Sequence, residues 1–85
     1  MNWELFIRKR ARKNLAHFPK KDQIHIAEIL REIVFNPYSG NIEKMEGEIN
    51  VWRRRVGSYR ILFELRVSDK TIAVLDIRRR TSSTY

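Results

Sequence analysis

Four arginines stand in a stretch that otherwise alternates like two strands: Arg53, Arg54, Arg55 and Arg60 in VWRRRVGSYRILFEL, residues 51–65. Three more, Arg78, Arg79 and Arg80, close a later apolar run. A guanidinium is always charged and offers a planar fork of donors that matches two phosphate oxygens at once. Gathering such groups without an anion costs stability through mutual repulsion. A bound phosphate backbone is the simplest compensation, so phosphate recognition is the chemistry these residues suggest. The alternative is a surface ion-pair network in which Asp76, Glu64 and Glu48 neutralise the arginines, but three acids do not balance so many guanidinium groups.

The whole chain shares this bias. Eighteen Lys and Arg against ten Asp and Glu leave a net charge of +8 in 85 residues. The excess is clustered, at residues 8–13, at Lys20 and Lys21, at 53–60 and at 78–80, while Glu28, Glu32, Glu43, Glu46 and Glu48 sit in the middle. A polyanion is the natural partner, and nucleic acid is the commonest one. Self-repulsion of this charge favours a monomer when no partner is bound. Cysteine is absent, which removes disulfides, thiol nucleophiles and most structural zinc sites. His17 and His25 stand apart from each other and from any acidic cluster with ligand spacing, so no metal or other cofactor is expected. No apolar run approaches the ~18 residues that span a bilayer. The opening MNWELFIRKR is charged too early for a signal peptide, and a cytoplasmic location is expected.

The elements that must position the arginines follow from periodicity. Residues 3–7, WELFI, alternate as a first strand. Ala11, Leu15 and Phe18 then recur at helical spacing, with Arg10, Arg12 and Lys13 mostly on the other side, until Pro19 closes the helix. A longer amphipathic helix begins near Lys21, with Asp22 at its positive end and Ile24, Ala27, Leu30, Ile33 and Val34 as the inward face. Asn36 ends it, because the residue before Pro37 is pushed out of the helical region. NPYSGN is turn chemistry, and IEKMEGEIN reads as a connector with Met45 and Ile49 tucked inward. Three strands follow, over about 49–56, 59–67 and 71–79, joined by turns at Gly57-Ser58 and Ser68-Asp69-Lys70.

The expected fold is α+β in one domain spanning 1–85. Two N-terminal helices pack on one face of a small, mostly antiparallel four-stranded sheet in the order β-α-α-β-β-β. Side chains alternate between the faces of a strand. That puts Tyr59, Ile61, Phe63, Leu65 and Val67 under the helices, with Trp52, Val56, Leu75 and Ile77. Arg60, Leu62, Glu64 and Arg66 go to the open face, joined by Arg53, Arg55, Asp76 and Arg78. The arginines are thus expected to converge on one accessible surface.

In this order and length the chain resembles the RelE/ParE superfamily of toxins from type II toxin–antitoxin pairs. The resemblance covers nearly the whole chain. Its parts are an opening strand, two helices ending at Asn36-Pro37, a KMEG segment (44–47), WRRRVGSYRILFEL (52–65) and the closing VLDIRRRTSSTY (74–85). The RelE-like branch implies a metal-independent, ribosome-dependent endoribonuclease that cuts messenger RNA by attack of a ribose 2′-hydroxyl on the adjacent phosphate. Carried over by motif, its catalytic residues fall on Arg55, Arg60, Arg80 and Tyr85. RNA binding falls on Arg53, Arg78, Arg79, Arg12 and Lys13. An antitoxin protein, the ribosome and mRNA are the implied partners. Many relatives carry a histidine where Arg79 stands here, and arginine cannot act as a base at neutral pH. Glu43 is then the nearest acidic candidate for general base, with Glu46, Glu48 and Glu64 competing. The ParE-like branch implies a different toxin, an inhibitor of DNA gyrase that does not cut RNA. A relative that only binds antitoxin or nucleic acid is the third alternative.

Overall fold

The arginine-bearing runs form three adjacent strands at the centre of the protein. A computed structural model describes residues 3–80. The elements are β1 (Glu4–Ile7), α1 (Lys9–Ala16), α2 (Lys20–Phe35), β2 (Ile42–Lys44), β3 (Val51–Val56), β4 (Tyr59–Arg66) and β5 (Thr71–Arg79). They build one mixed sheet in the order β1-β5-β4-β3-β2, antiparallel except for the parallel β1–β5 pair. Ala11 of α1 and Ile26, Ile29, Leu30 and Ile33 of α2 cluster with Tyr59, Ile61, Phe63, Leu65, Ile72, Val74 and Ile77 on one face. The α+β class with two helices on one side of the sheet therefore holds.

The sheet has five strands rather than four. Residues 42–44, read as part of a connector, pair with β3 through Ile42↔Arg54, Glu43↔Arg53 and Lys44↔Trp52. A three-residue strand with two charged members has no apolar period to reveal it, and an opposite-charge pair across the strands holds its place. The inward face of α2 keeps Leu30 and Ile33 from the expected one but is shifted around the helix. Ile24 is exposed, and Ile26 and Ile29 are buried beside Leu30 and Ile33. Ile49 and Val67 are also exposed, not buried. Ile49 precedes Asn50, whose φ of 56° breaks the alternation before β3 begins, and Val67 lies past the end of β4.

Register between β4 and β5 shifts at Leu62/Phe63, where Leu62 faces Asp76 and Phe63 faces Val74. Leu75 is the extra residue, a β-bulge that re-aims the side chains after it. Beyond the point where β1 ends, α1 continues along the same edge of β5. Arg8 N–H donates to Val74 O at 2.9 Å, and Asn14 Nδ2 donates to Ile77 O at 3.2 Å. This places the basic helix α1 beside the bulge and the open face.

On β3, parity sends Arg54 inward. It is 7% exposed, and its Nη2 donates to Glu32 Oε1 at 3.0 Å while Nη1 donates to Ser39 O at 3.2 Å. These bonds tie the end of α2 and the following turn to β3. Gly40, at φ 78°, lies so close to the guanidinium that a Cβ there would collide with it.

Candidate phosphate-binding site on the open face

Strand pairing sets the arginines in rows. Arg55 faces Arg60, and Arg60 faces Arg78, so three guanidinium side chains lie side by side across β3, β4 and β5. Like charges directly opposite one another destabilise a sheet. The next row runs Glu43, Arg53, Leu62, Asp76 across β2 to β5, with a carboxylate at each end. Alternation thus brings Arg53, Arg55, Arg60 and Arg78 to one face, as their positions in the strands require.

The two carboxylates pair with the flanking arginines. Glu43 Oε1 accepts from Arg53 Nη2 and lies 3.5 Å from Arg55 Nη2. The Arg53 bond and charge, with smaller contributions from Arg55 and Arg60, hold the Glu43 carboxyl below its ordinary value of 4.5. Asp76, expected as a neutralising surface acid, is instead 5% exposed. Its Oδ1 accepts from Asn14 Nδ2 at 2.8 Å and from its own neighbour Ile77 N–H at 2.9 Å. Its Oδ2 accepts from Arg78 Nε at 2.6 Å and lies 3.6 Å from Arg10 Nε. Both oxygens are therefore occupied, and Asp76 fixes Arg78 and α1 in place rather than standing free to react.

Arg60 is different. Among the described residues it makes no ion pair and no side-chain hydrogen bond, though it sits between Arg55 and Arg78. It opens onto a hollow of about 160 Å³ lined by Met45, Arg53, Arg60, Leu62, Asp76 and Arg78. Three guanidinium groups against one saturated carboxylate give that hollow a positive field. Arg53, one of the lining residues, has its Nε buried with no hydrogen-bond partner among the described residues. A buried donor left unmade costs free energy until an acceptor arrives. The arrangement can hold an anion with several oxygens, and can stabilise charge that grows on it.

The remaining sequence-derived residues are dispersed. Arg79 faces Tyr59 in the ladder and lies over the Tyr59 ring, 5.9 Å from its centroid, on the helix-covered side. Arg80 follows β5, is exposed, and its N–H donates to Ser58 O beside the β3–β4 turn. Arg12 and Lys13 are exposed on α1 and do not line the hollow. Tyr85 lies outside the described residues. Trp3 and Trp52 pack against the core from the helix side. Leu62 lies on the open face as parity requires, whereas Met45 in the lining and Arg10 and Asn14 beside Asp76 were not expected. The signal for α1 was its charge run ahead of a sheet edge, but its contact with Asp76 depends on the bulge.

A family profile described as the ParE toxin of the type II toxin–antitoxin system parDE matches residues 5–83. The chain belongs to this toxin family within the RelE/ParE superfamily. No curated protein sequence matches it. Among solved structures, the archaeal RelE–RelB complex from Pyrococcus horikoshii superposes with a TM-score of 0.83 at 25% identity, over 98% of this chain and 100% of that one. A RelB–RelE antitoxin–toxin complex from Methanococcus jannaschii gives 0.73 at 27% identity, over 87% and 88%. The intact E. coli RelBE complex gives 0.78 at 18% identity over 93% and 98%, a likeness of fold.

Proposed function

We propose that this toxin is an endoribonuclease that cuts messenger RNA on the ribosome, in the cytoplasm, with the open-face hollow holding the scissile phosphate. The observation that carries this reading is Arg60, a guanidinium with no ion pair among the described residues, at the centre of a row of three and lining an accessible hollow. In the reaction the ribose 2′-oxygen bonds to the adjacent phosphorus and the bond from phosphorus to the 5′-oxygen breaks. The 2′-hydroxyl proton leaves and the departing 5′-oxygen gains one, giving a cyclic phosphate and a free 5′-hydroxyl. Negative charge grows on the non-bridging oxygens as this happens.

Preorganised cations at that point are worth about 3 kcal/mol per group. Arg60 supplies this, Arg78 is aimed by Asp76 to assist it, and Arg53 and Arg55 grip phosphate once Glu43 yields them. Arginine keeps its proton at neutral pH, so these groups act by charge and not as bases. Glu43 is ionised, but Arg53 and Arg55 hold it. It competes with phosphate for those arginines rather than standing ready to take a proton. Arg80 and Tyr85 are assigned by resemblance alone, to the leaving oxygen and to a base or proton at the cleavage point. The cognate antitoxin is a protein that neutralises this basic face.

Primer extension on mRNA, with and without ribosomes in a purified system, tests the proposal. Cut sites inside reading frames that appear only with ribosomes support it; intact mRNA refutes it. The ParE profile match supports a second reading, inhibition of DNA gyrase. In that case gyrase-dependent DNA breaks accumulate while mRNA stays whole.

A further inference from the structure

The open face does not end at the arginine hollow. Strand parity places Glu4, Phe6, Thr71, Ala73, Glu64 and Arg66 on the same side as Arg60, through the registers Glu4↔Thr71↔Arg66 and Phe6↔Ala73↔Glu64. There Phe6 is 60% exposed, and Ala73 beside it is 3% exposed with too little side chain to fill the space. A second hollow of about 310 Å³ results, lined by Phe6, Ile7, Arg8, Arg66 and Ala73. An aromatic side chain open to solvent shares this hollow with two arginines.

We infer that this second hollow is a nucleotide subsite, in which Phe6 stacks on a base of single-stranded RNA while Arg8 and Arg66 meet the flanking phosphates. The inference rests on the RNA reading of the face given above and extends it. Three observations support this occupant. The face is continuous with the Arg60 hollow, because Arg60, Leu62, Glu64 and Arg66 follow one another on a single side of β4. At the usual strand rise this separates Arg60 from Arg66 by about 20 Å, a span that calls for a polymer and not a single nucleotide. Charge complementarity points the same way, with +8 on the chain and two arginines lining the hollow. Two acids share the face: Glu4 is exposed and makes no ion pair among the described residues, and Glu64 lies 3.6 Å from Arg66, with both side chains partly in water. A solvent-screened pair of that kind yields readily to a phosphate. Aromatic platforms between cations bind single strands with little regard to sequence, because every base has a stacking face.

The test uses the full chain and a short fluorescent RNA strand in which every ribose carries a 2′-O-methyl group, so that no nucleophile is present and binding is read alone. Phe6→Ala is expected to weaken binding about 5- to 150-fold, the range that stacking of one base represents. Phe6→Trp is expected to restore it. On a strand of the same length with abasic sites, wild type and Phe6→Ala are expected to bind alike. Circular dichroism melts confirm that the variants fold. Equal binding of wild type and Phe6→Ala to the intact strand overturns the inference. So does a loss of the same size on the abasic strand, absence of binding by the wild type, or sedimentation showing that Phe6 joins two copies of the chain. The cleavage assay is separate: ribosome-dependent cutting with no Phe6 effect sinks this inference alone. Phe6-dependent binding without cutting sinks the nuclease reading alone.

Discussion

Replacing Glu43 with glutamine removes the only carboxylate that pairs with Arg53 and Arg55 among the described residues. If Glu43 is a counterion that phosphate must displace, Glu43→Gln frees two guanidinium groups for RNA. Each phosphate neutralised on a single strand contributes about 0.7 to the slope of log affinity against log salt. Freeing two arginines therefore steepens that slope by up to about 1.4 and tightens binding at low salt. The assay is polarisation of a 2′-O-methyl RNA strand titrated across a salt series with wild type and variant. Acid pH gives an internal control. Because the Glu43 carboxyl is held below 4.5 in the folded protein, its ion pairs are intact above that pH and are lost as pH falls through the lowered value. Wild-type binding should approach that of the variant over the same range. A general base predicts something else, loss of cleavage by about 10²- to 10⁴-fold with the salt slope unchanged. That result would refute the counterion role.

The buried Arg54–Glu32 pair should show a directional asymmetry. Glu32→Ala leaves a guanidinium unpaired at a site 8% exposed, costing about 1–3 kcal/mol. Arg54→Met leaves Ser39 O without that donor and a carboxylate that is already 56% exposed, and with no charge left buried it costs less. Urea unfolding of both variants tests this, and the reverse order would count against the pairing. Tyr59 donates to Asp22 Oδ2 at 2.5 Å, and burial, with that bond, raises its pKa above 10.0. A raised folded value means stability is held below the unfolded pKa and lost as pH climbs through the folded one. Tyr59→Phe should thus be less stable than wild type at neutral pH by about 1 kcal/mol, with the gap closing above pH ~10. Melting curves at both ends of the range would show a constant gap if the hydroxyl were irrelevant.

Much of the site was legible because strand parity is a short-range rule. Val56, Tyr59, Ile61, Phe63 and Leu65 had to share a side, which forced Arg53, Arg55 and Arg60 onto the other. What stayed hidden depends on contacts far apart in the chain. In α2, apolar residues occur at Ile24, Ile26, Ala27, Ile29, Leu30, Ile33 and Val34, so two helical phases fit, and only the sheet selects the one with Ile26 and Ile29 inward. β2 owes its existence to pairing with β3, and Arg54 to a glutamate 22 residues earlier. The single extra residue at Leu75 could not be counted without the ladder. It is this bulge, with α1 laid along the strand edge, that buries Asp76 against Asn14 and Arg78.

Arg60 is the residue on which the nuclease reading turns, and single-turnover cleavage of mRNA bound to ribosomes measures its contribution directly. A loss of about 10²- to 10³-fold in Arg60→Ala, at an unchanged melting temperature, is expected if its charge stabilises the transition state. Cleavage within threefold of wild type would contradict it.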